Sequence, residues 1–198
     1  MAKKTIAIIG ATEIMGAAIT KNLSKGNYRL LLFGHDREKL EILAEEIKEI
    51  SPAADIECLG CLVDASWEAD IIISAVPAGA EKEIAKMIKD VATQKIVISI
   101  PEPINISGSY ISMDTSAAEE LQKLLPNSKV VKTFNAADAI DLTLALADGK
   151  QIDSFIAGDD KEAVQAVKEI VSNAGFHPII AGELATSRAL ENTRLINK

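Results

Sequence analysis

The residues best placed to do chemistry stand at the start of the chain. The stretch GATEIMG, residues 10–16, follows the apolar run 5–9. A strand that ends in glycine and opens a helix presents unpaired backbone N–H groups and the positive end of a helix dipole, the two features that hold a phosphate. Gly10 permits a tight turn, Gly16 lets the helix pack on the sheet, and Thr12 adds a hydroxyl. The helix beginning near Met15 offers its free N–H groups. The centre of the loop carries Glu13 where a bare backbone would suit a pyrophosphate. Its carboxylate repels such a ligand unless it turns to solvent, whereas its N–H remains a candidate donor.

A second loop, FGHDREKL at 33–40, bears on which dinucleotide is read. Asp36 lies twenty residues after Gly16, where an acid holds the ribose 2′-hydroxyl of NAD, while an arginine there holds the 2′-phosphate of NADP. Both signals are present, because His35, Arg37 and Lys39 surround Asp36. Three groups that are or can become cationic favour NADP, with NAD as the alternative. The structural reading is that Asp36 caps a helix whose first turn, with Arg37 and Lys39, is solvated.

Other reactive types carry less. Cys58 and Cys61 are spaced C-x-x-C, a redox or half-zinc pattern, but only His35 and His177 could complete a zinc set, and no metal is expected. The pair is expected as buried structural thiols within a strand and turn. Asp159 is read with Glu162 as the cap of a helix. Neither histidine sits in a nucleophile motif, so no hydrolytic triad is expected and no catalytic side chain is named.

Strands alternating with helices must position these loops. Apolar runs at 5–9, 28–33, 56–62, 70–76, 95–100, 130–134, 152–157 and 177–181 read as strands. Helical periodicity marks 15–25, 38–50, a face bearing Ile84, Ile88 and Val91, a segment opened by the capping box Ser116/Glu119, 136–147, and a helix bearing Val164, Val167 and Val171. The stretch 101–114 reads as a long loop and the tail from Glu183 as helical. Strands apolar on both faces between helices define an α/β protein, a Rossmann-type doubly wound, mainly parallel sheet with helices on both faces and a small C-terminal extension. One domain is expected over 1–198, its core about 1–135 and a smaller C-terminal part over 136–198. Ligands of such sheets bind beyond the carboxyl ends of the strands. That rule selects the loops 10–16, 34–39, 75–80 and 134–138, closed over by 101–114.

A formal charge of −8 over 198 residues argues against nucleic acid as a partner. No apolar stretch reaches the ~20 residues of a membrane span, and the short run after the two N-terminal lysines lacks the form of a signal peptide. Membrane association is not expected, and the expected compartment is the cytoplasm.

The segment TSAAEELQKLLPNSKVVKTFNAADA, with Lys-Thr-Phe-Asn at 132–135, and the segment FIAGDDKEAVQAVKEIVSNAGFHPIIAGELATSRALEN, with Gly-Asp-Asp at 158–160 and Gly-Glu-Leu…Ser-Arg at 182–188, resemble the NADP-binding proteins related to deazaflavin (coenzyme F-420)-dependent NADP oxidoreductase. The resemblance spans nearly the whole chain. It implies an NADP-dependent oxidoreductase moving hydride between a nicotinamide and a deazaflavin, flavin or other small acceptor, as a homodimer. It places the pyrophosphate on Gly10, Thr12, Glu13, Ile14, Met15 and Gly16, and the 2′-phosphate on His35, Asp36, Arg37 and Lys39. It places the nicotinamide between the turn Val76, Pro77, Ala78 and the turn Asn135, Ala136. The family has glycine where Glu13 stands and a serine–arginine type of pair where His35 and Asp36 stand. Its members run on through a further helical segment past the position of Arg188, whereas this sequence stops at Lys198. A non-catalytic NADP(H)-binding sensor or accessory protein is the alternative. So is an imine or carbonyl reductase, for which Ser107, Ser109 and Tyr110 are the candidate proton donors.

Overall fold

The computed structural model describes residues 3–100, 114–135 and 151–192. Eight strands form one sheet: β1 (Lys4–Ile9), β2 (Tyr28–Phe33), β3 (Asp55–Cys58), β4 (Ile71–Ser74), β5 (Ile96–Ser99), β6 (Lys129–Lys132), β7 (Asp153–Gly158) and β8 (His177–Gly182). Their order is β3-β2-β1-β4-β5-β6-β7-β8. Every neighbouring pair is parallel except β6 and β7. The fold is the doubly wound α/β class that the alternation of apolar runs implies, and β7 and β8 extend the same sheet.

The helices are α1 (Ile14–Leu23), α2 (Arg37–Ile50), α3 (Leu62–Glu68), α4 (Ala78–Ile88), α5 (Ala117–Leu124), α6 (Lys161–Asn173) and α7 (Ser187–Asn192), with a 3-10 turn at Leu184–Thr186. They divide by apolar face. Ile19 and Leu23 of α1, Leu40, Leu43 and Ile47 of α2, and Val164, Val167 and Ile170 of α6 cover Ile6, Ile8, Leu30, Ile73 and Ile156. On the other face Leu62 and Ala65 of α3, Ile84 and Ile88 of α4, and Leu121 of α5 cover Ala7, Ile9, Leu31, Ile72 and Val97. Alternate residues of one strand thus enter opposite cores, which is why the strands read as continuous apolar runs.

Three readings are corrected. The third strand ends at Cys58, and Leu62 begins α3, a helix absent from the expected element list. The apolar letters at 58–62 conceal the break at Gly60. The cysteines are not buried: Cys58 is half-buried and Cys61 exposed, and both are free thiols, because Cys61 stands in the turn before α3. The cap of α6 is Asp160, which accepts from the N–H of Ala163 at 2.8 Å, while Asp159 accepts from the N–H of Leu184 at 2.8 Å. The capping box at Ser116 and Glu119 is present. The tail folds as the 3-10 turn and α7 as far as Asn192. Most of the expected loop at 101–114 and all of the expected helix at 136–147 lie outside the described residues.

Candidate functional site

The strand order reverses beside β1, between β2 on one side and β4 on the other. At that switch point the loops after β1 and β4 meet. Gly10 has φ +83°, and a Cβ there would come within 2.6 Å of the Ala75 carbonyl oxygen. The N–H groups of Gly10 and Ala11 both reach the Phe33 carbonyl, at 2.9 and 3.0 Å. At Gly16 a Cβ would sit 2.1 Å from the Gly10 carbonyl oxygen. Any larger residue would push α1 off the loop, so both glycines are set by close backbone approach.

The floor of this loop is made of N–H groups. Glu13 donates its own to the Gly10 carbonyl at 3.0 Å, so it has none to offer a phosphate. The Ile14, Met15 and Gly16 N–H groups form the first turn of α1, and no side chain caps it. These three find no acceptor among the described residues, which leaves them for an anion at the positive end of the helix. The Glu13 side chain is exposed, as is Ile14, at 66%. Thr12 is half-buried and lies against the next loop: a Cβ at Gly34 would meet its Oγ1 at 3.0 Å. Gly34 lies in the loop 34–39 that the strand-end rule selected but was not named there as a site residue, although a glycine directly after a strand was its signal.

In the second loop Asp36 caps α2, accepting from the Lys39 N–H at 3.1 Å, and its second oxygen lies 3.6 Å from Lys39 Nζ. That amide and the lysine hold the carboxyl below its ordinary value. Arg37 is exposed and pairs with Glu41 at 2.8 Å. Its guanidinium passes over Gly60, 3.8 Å from where a Cβ would stand. The turn after β3 thus borders the same cationic patch, a neighbour the sequence reading did not include. His35 is exposed, its ring edge-on to Phe33 at 6.2 Å.

Val76 is buried and Pro77 is the exposed residue before α4, whose first residue is Ala78. Across the sheet, Phe134 takes a left-handed φ of +56°. Its N–H donates to Ser154 Oγ at 3.1 Å, and its ring meets Phe176 edge-on at 5.2 Å. Asn135 accepts from the Phe155 N–H at 3.1 Å, while its Nδ2 is buried with no partner among the described residues. A fixed carboxamide with an unused N–H₂ end is a ready donor for a ligand carbonyl. The structure brings the loops after β1, β2, β4 and β6 to one edge; Ala136, Ser107, Ser109 and Tyr110 lie outside the described residues. No cluster of three or more potential metal ligands occurs among the described residues, and no described helix is long and apolar enough to cross a membrane.

A cluster of buried polar groups at this edge was not named among the site residues, although Lys132 opens the Lys-Thr-Phe-Asn stretch at 132–135. Ser74, Ser99 and Lys132 are in register at the last positions of β4, β5 and β6. Two buried carboxylates converge on them. Glu81, in the first turn of α4, accepts from Ser99 Oγ at 3.0 Å. Glu191 of α7 lies 3.4 Å from Lys132 Nζ and accepts from the N–H groups of Ala117 and Ala118 at 2.8 and 3.3 Å. Lys132, wholly buried, also donates to the Ile100 carbonyl at 3.1 Å.

A strand–glycine–helix anion cradle at the switch point of a doubly wound sheet defines a Rossmann-type dinucleotide-binding protein. Residues 5–103, half of the chain, match the family model described as NADP oxidoreductase, coenzyme F420-dependent. The F420-dependent NADP reductase of Methanocaldococcus jannaschii is 30% identical over 94% of this chain and 87% of its own length. The enzyme of that name from Methanothermobacter thermautotrophicus is 29% identical over 98% of this chain and 84% of its own. Among solved structures, a candidate F420-dependent NADP reductase from Arthrobacter sp. FB24 superposes with a TM-score of 0.78 at 20% identity, over 96% of this chain and 90% of that one, a likeness of fold. The chain belongs to the coenzyme F420-dependent NADP oxidoreductase family, and the expected class of enzyme, an NADP-dependent oxidoreductase, is the class of this family.

Proposed function

We propose that the chain binds NADP(H) along the carboxyl edge of its sheet and moves hydride between the nicotinamide and a small acceptor, a deazaflavin before a flavin. The observation that carries this reading is the set of three unpartnered N–H groups at Ile14, Met15 and Gly16, above two glycines that leave no room for a Cβ. They would hold the pyrophosphate, with Thr12 closing one side and Glu13 turned to solvent. Arg37, with Lys39 and His35 nearby, would take the 2′-phosphate, for which Arg37 must leave Glu41. Asp36 is engaged in capping α2, which favours NADP over NAD. Val76, Pro77, Ala78 and Asn135 would wall the nicotinamide, Asn135 donating its free Nδ2–H to the carboxamide. Bound there, NADPH supplies a hydride, two electrons with one proton, and is left as the pyridinium. The protein has mainly to orient the two rings and exclude water. We further propose that the active form is a cytoplasmic homodimer.

Calorimetric titration with NADPH and NADH tests the reading. The tryptophan is a poor reporter, since Trp67 is 68% exposed near the amino-terminal edge of the sheet. NADPH is expected to bind the more tightly, and Arg37→Ala to weaken NADPH by about 10–100-fold, the worth of a charge-assisted hydrogen bond, with little effect on NADH. Oxidation of NADPH on adding coenzyme F420 or a flavin, followed by absorbance, would then identify the acceptor. Binding without turnover by any acceptor points to a non-catalytic NADP(H) binder. Folded protein that binds neither nucleotide sinks the proposal.

A further inference from the structure

The buried charges at the carboxyl ends of β4, β5 and β6 are not used by hydride transfer, yet they stand on the elements that lead into the two turns proposed to wall the nicotinamide. Glu81 is 5% exposed and stands four residues after Pro77, and Lys132 immediately precedes the turn formed by Thr133, Phe134 and Asn135. Among the described residues two buried carboxylates, Glu81 and Glu191, share the Lys132 ammonium, so the two compete for its compensation. Glu191 has Lys132 and two backbone N–H groups to answer its charge. Glu81 has Ser99, and Ser74 Oγ beside it completes no hydrogen bond. Glu81 is therefore the member that holds a proton most readily. A groove of about 340 Å³ between α4 and α5 reaches it, lined also by Lys82, Glu120 and Lys123, the last two paired at 2.6 Å, and gives the proton a route to solvent.

The nicotinamide ring is cationic when oxidised and neutral when reduced. Resting on the cofactor reading above, we propose that Glu81, held by Ser99 against Lys132 and Glu191, makes the nicotinamide end of the site discriminate between NADP⁺ and NADPH through its own ionisation. The ionised carboxylate favours the cationic ring and leaves the neutral one nearly unaffected, because a buried charge is little screened by salt. Linkage then requires that NADP⁺ binding release a proton from Glu81 and that NADPH binding release none. Burial pushes the Glu81 carboxyl up to about 7, against the pull of Lys132 and Ser99 and with a push from Glu191, so the discrimination falls in the neutral range. Glu81 acts here as a positioning residue for charge and takes no part in hydride transfer.

The test is the ratio of the Kd of NADPH to that of NADP⁺, measured by calorimetry between pH 5.5 and 8.5 in the full chain. Titration of the 2′-phosphate acts on both nucleotides alike and cancels in the ratio. The wild-type ratio is expected to rise about tenfold with pH, within the usual range of coupling between sites. In Glu81→Gln it should stay near its low-pH value at every pH. Should that variant fail to fold, Ser99→Ala decides the matter: it removes the bond donated to the carboxylate and should move the midpoint to higher pH. A flat wild-type ratio with both nucleotides bound, or an unmoved midpoint in Ser99→Ala, overturns the proposal while the cofactor reading stands. Absence of binding by either nucleotide removes both.

Discussion

Glu81 is where burial and charge conflict most sharply in this protein. Its carboxyl is raised from an ordinary value of 4.5 to about 7 by burial. The folded state therefore holds a proton that the unfolded chain loses between those values. The stability this brings is fully present below about pH 4.5 and is lost as pH rises through 7. A shift of that size corresponds to about 3 kcal/mol. Glu81→Gln cannot ionise, so its stability relative to wild type should grow by about 2–3 kcal/mol between pH 5 and pH 8.5 in urea denaturation. A difference that does not change with pH would mean that the carboxyl is better solvated than its burial indicates. The arrangement escaped the sequence because Ser74, Ser99 and Lys132 fall inside the apolar runs 70–76, 95–100 and 130–134, where the letters do not say which residues become neighbours across the sheet. Nothing in the letters around Glu81 and Glu191 marks them for burial. Their meeting depends on strand register and on the packing of α4 and α7.

At the scale of elements, α7 is held on α5 by polar contacts rather than by apolar area. Ser187 Oγ lies 2.6 Å from Ser116 Oγ, Arg188 grips Glu119 through two bonds of 2.7 and 2.6 Å, and Glu191 accepts the first two N–H groups of α5. Glu119 is thereby held below its ordinary value. Breaking a buried ion pair by removing one partner costs about 3–5 kcal/mol, so Glu191→Ala is expected to lower the unfolding free energy by about that amount at pH 7.5, with Glu191→Gln costing less. A loss below about 1 kcal/mol would mean that Lys132 finds a substitute partner. Elements were legible where local signals agree: the capping box at Ser116, and the face of Leu40, Leu43 and Ile47 in α2. They were illegible where an apolar run changes structure without changing letters, as between Cys58 and Leu62, where helix α3 went unseen.

For the whole molecule, the four loops gather at one edge because parallel strands all end there, so a ligand spanning them ties β2, β1, β4 and β6 together. NADPH at about 100 times its Kd should stabilise the fold by about 2.7 kcal/mol, which raises the Tm of a chain of this size by about 5–10 °C. NADH at the same concentration should raise it less, and Arg37→Ala should bring the two shifts close together. Equal shifts for both nucleotides in the wild type would mean that Arg37 stays with Glu41 and does not read the 2′-phosphate.

The sequence by itself determined the alternation of strand and helix, the doubly covered sheet, the edge at which the candidate loops gather, and the two glycines that bring α1 against the first loop. These follow from periodicity and from the steric demands of single residues, which are local and written in the letters. Only the tertiary structure decided that the Glu13 N–H is consumed by Gly10, that Asp36 caps a helix, that Thr12 and Arg37 lie over Gly34 and Gly60, and that Phe134 turns left-handed to set Asn135. It alone buried one lysine between two carboxylates. The contacts around that lysine join residues 18 to 74 positions apart, and their geometry is set by the register of strands that meet only when the sheet is complete.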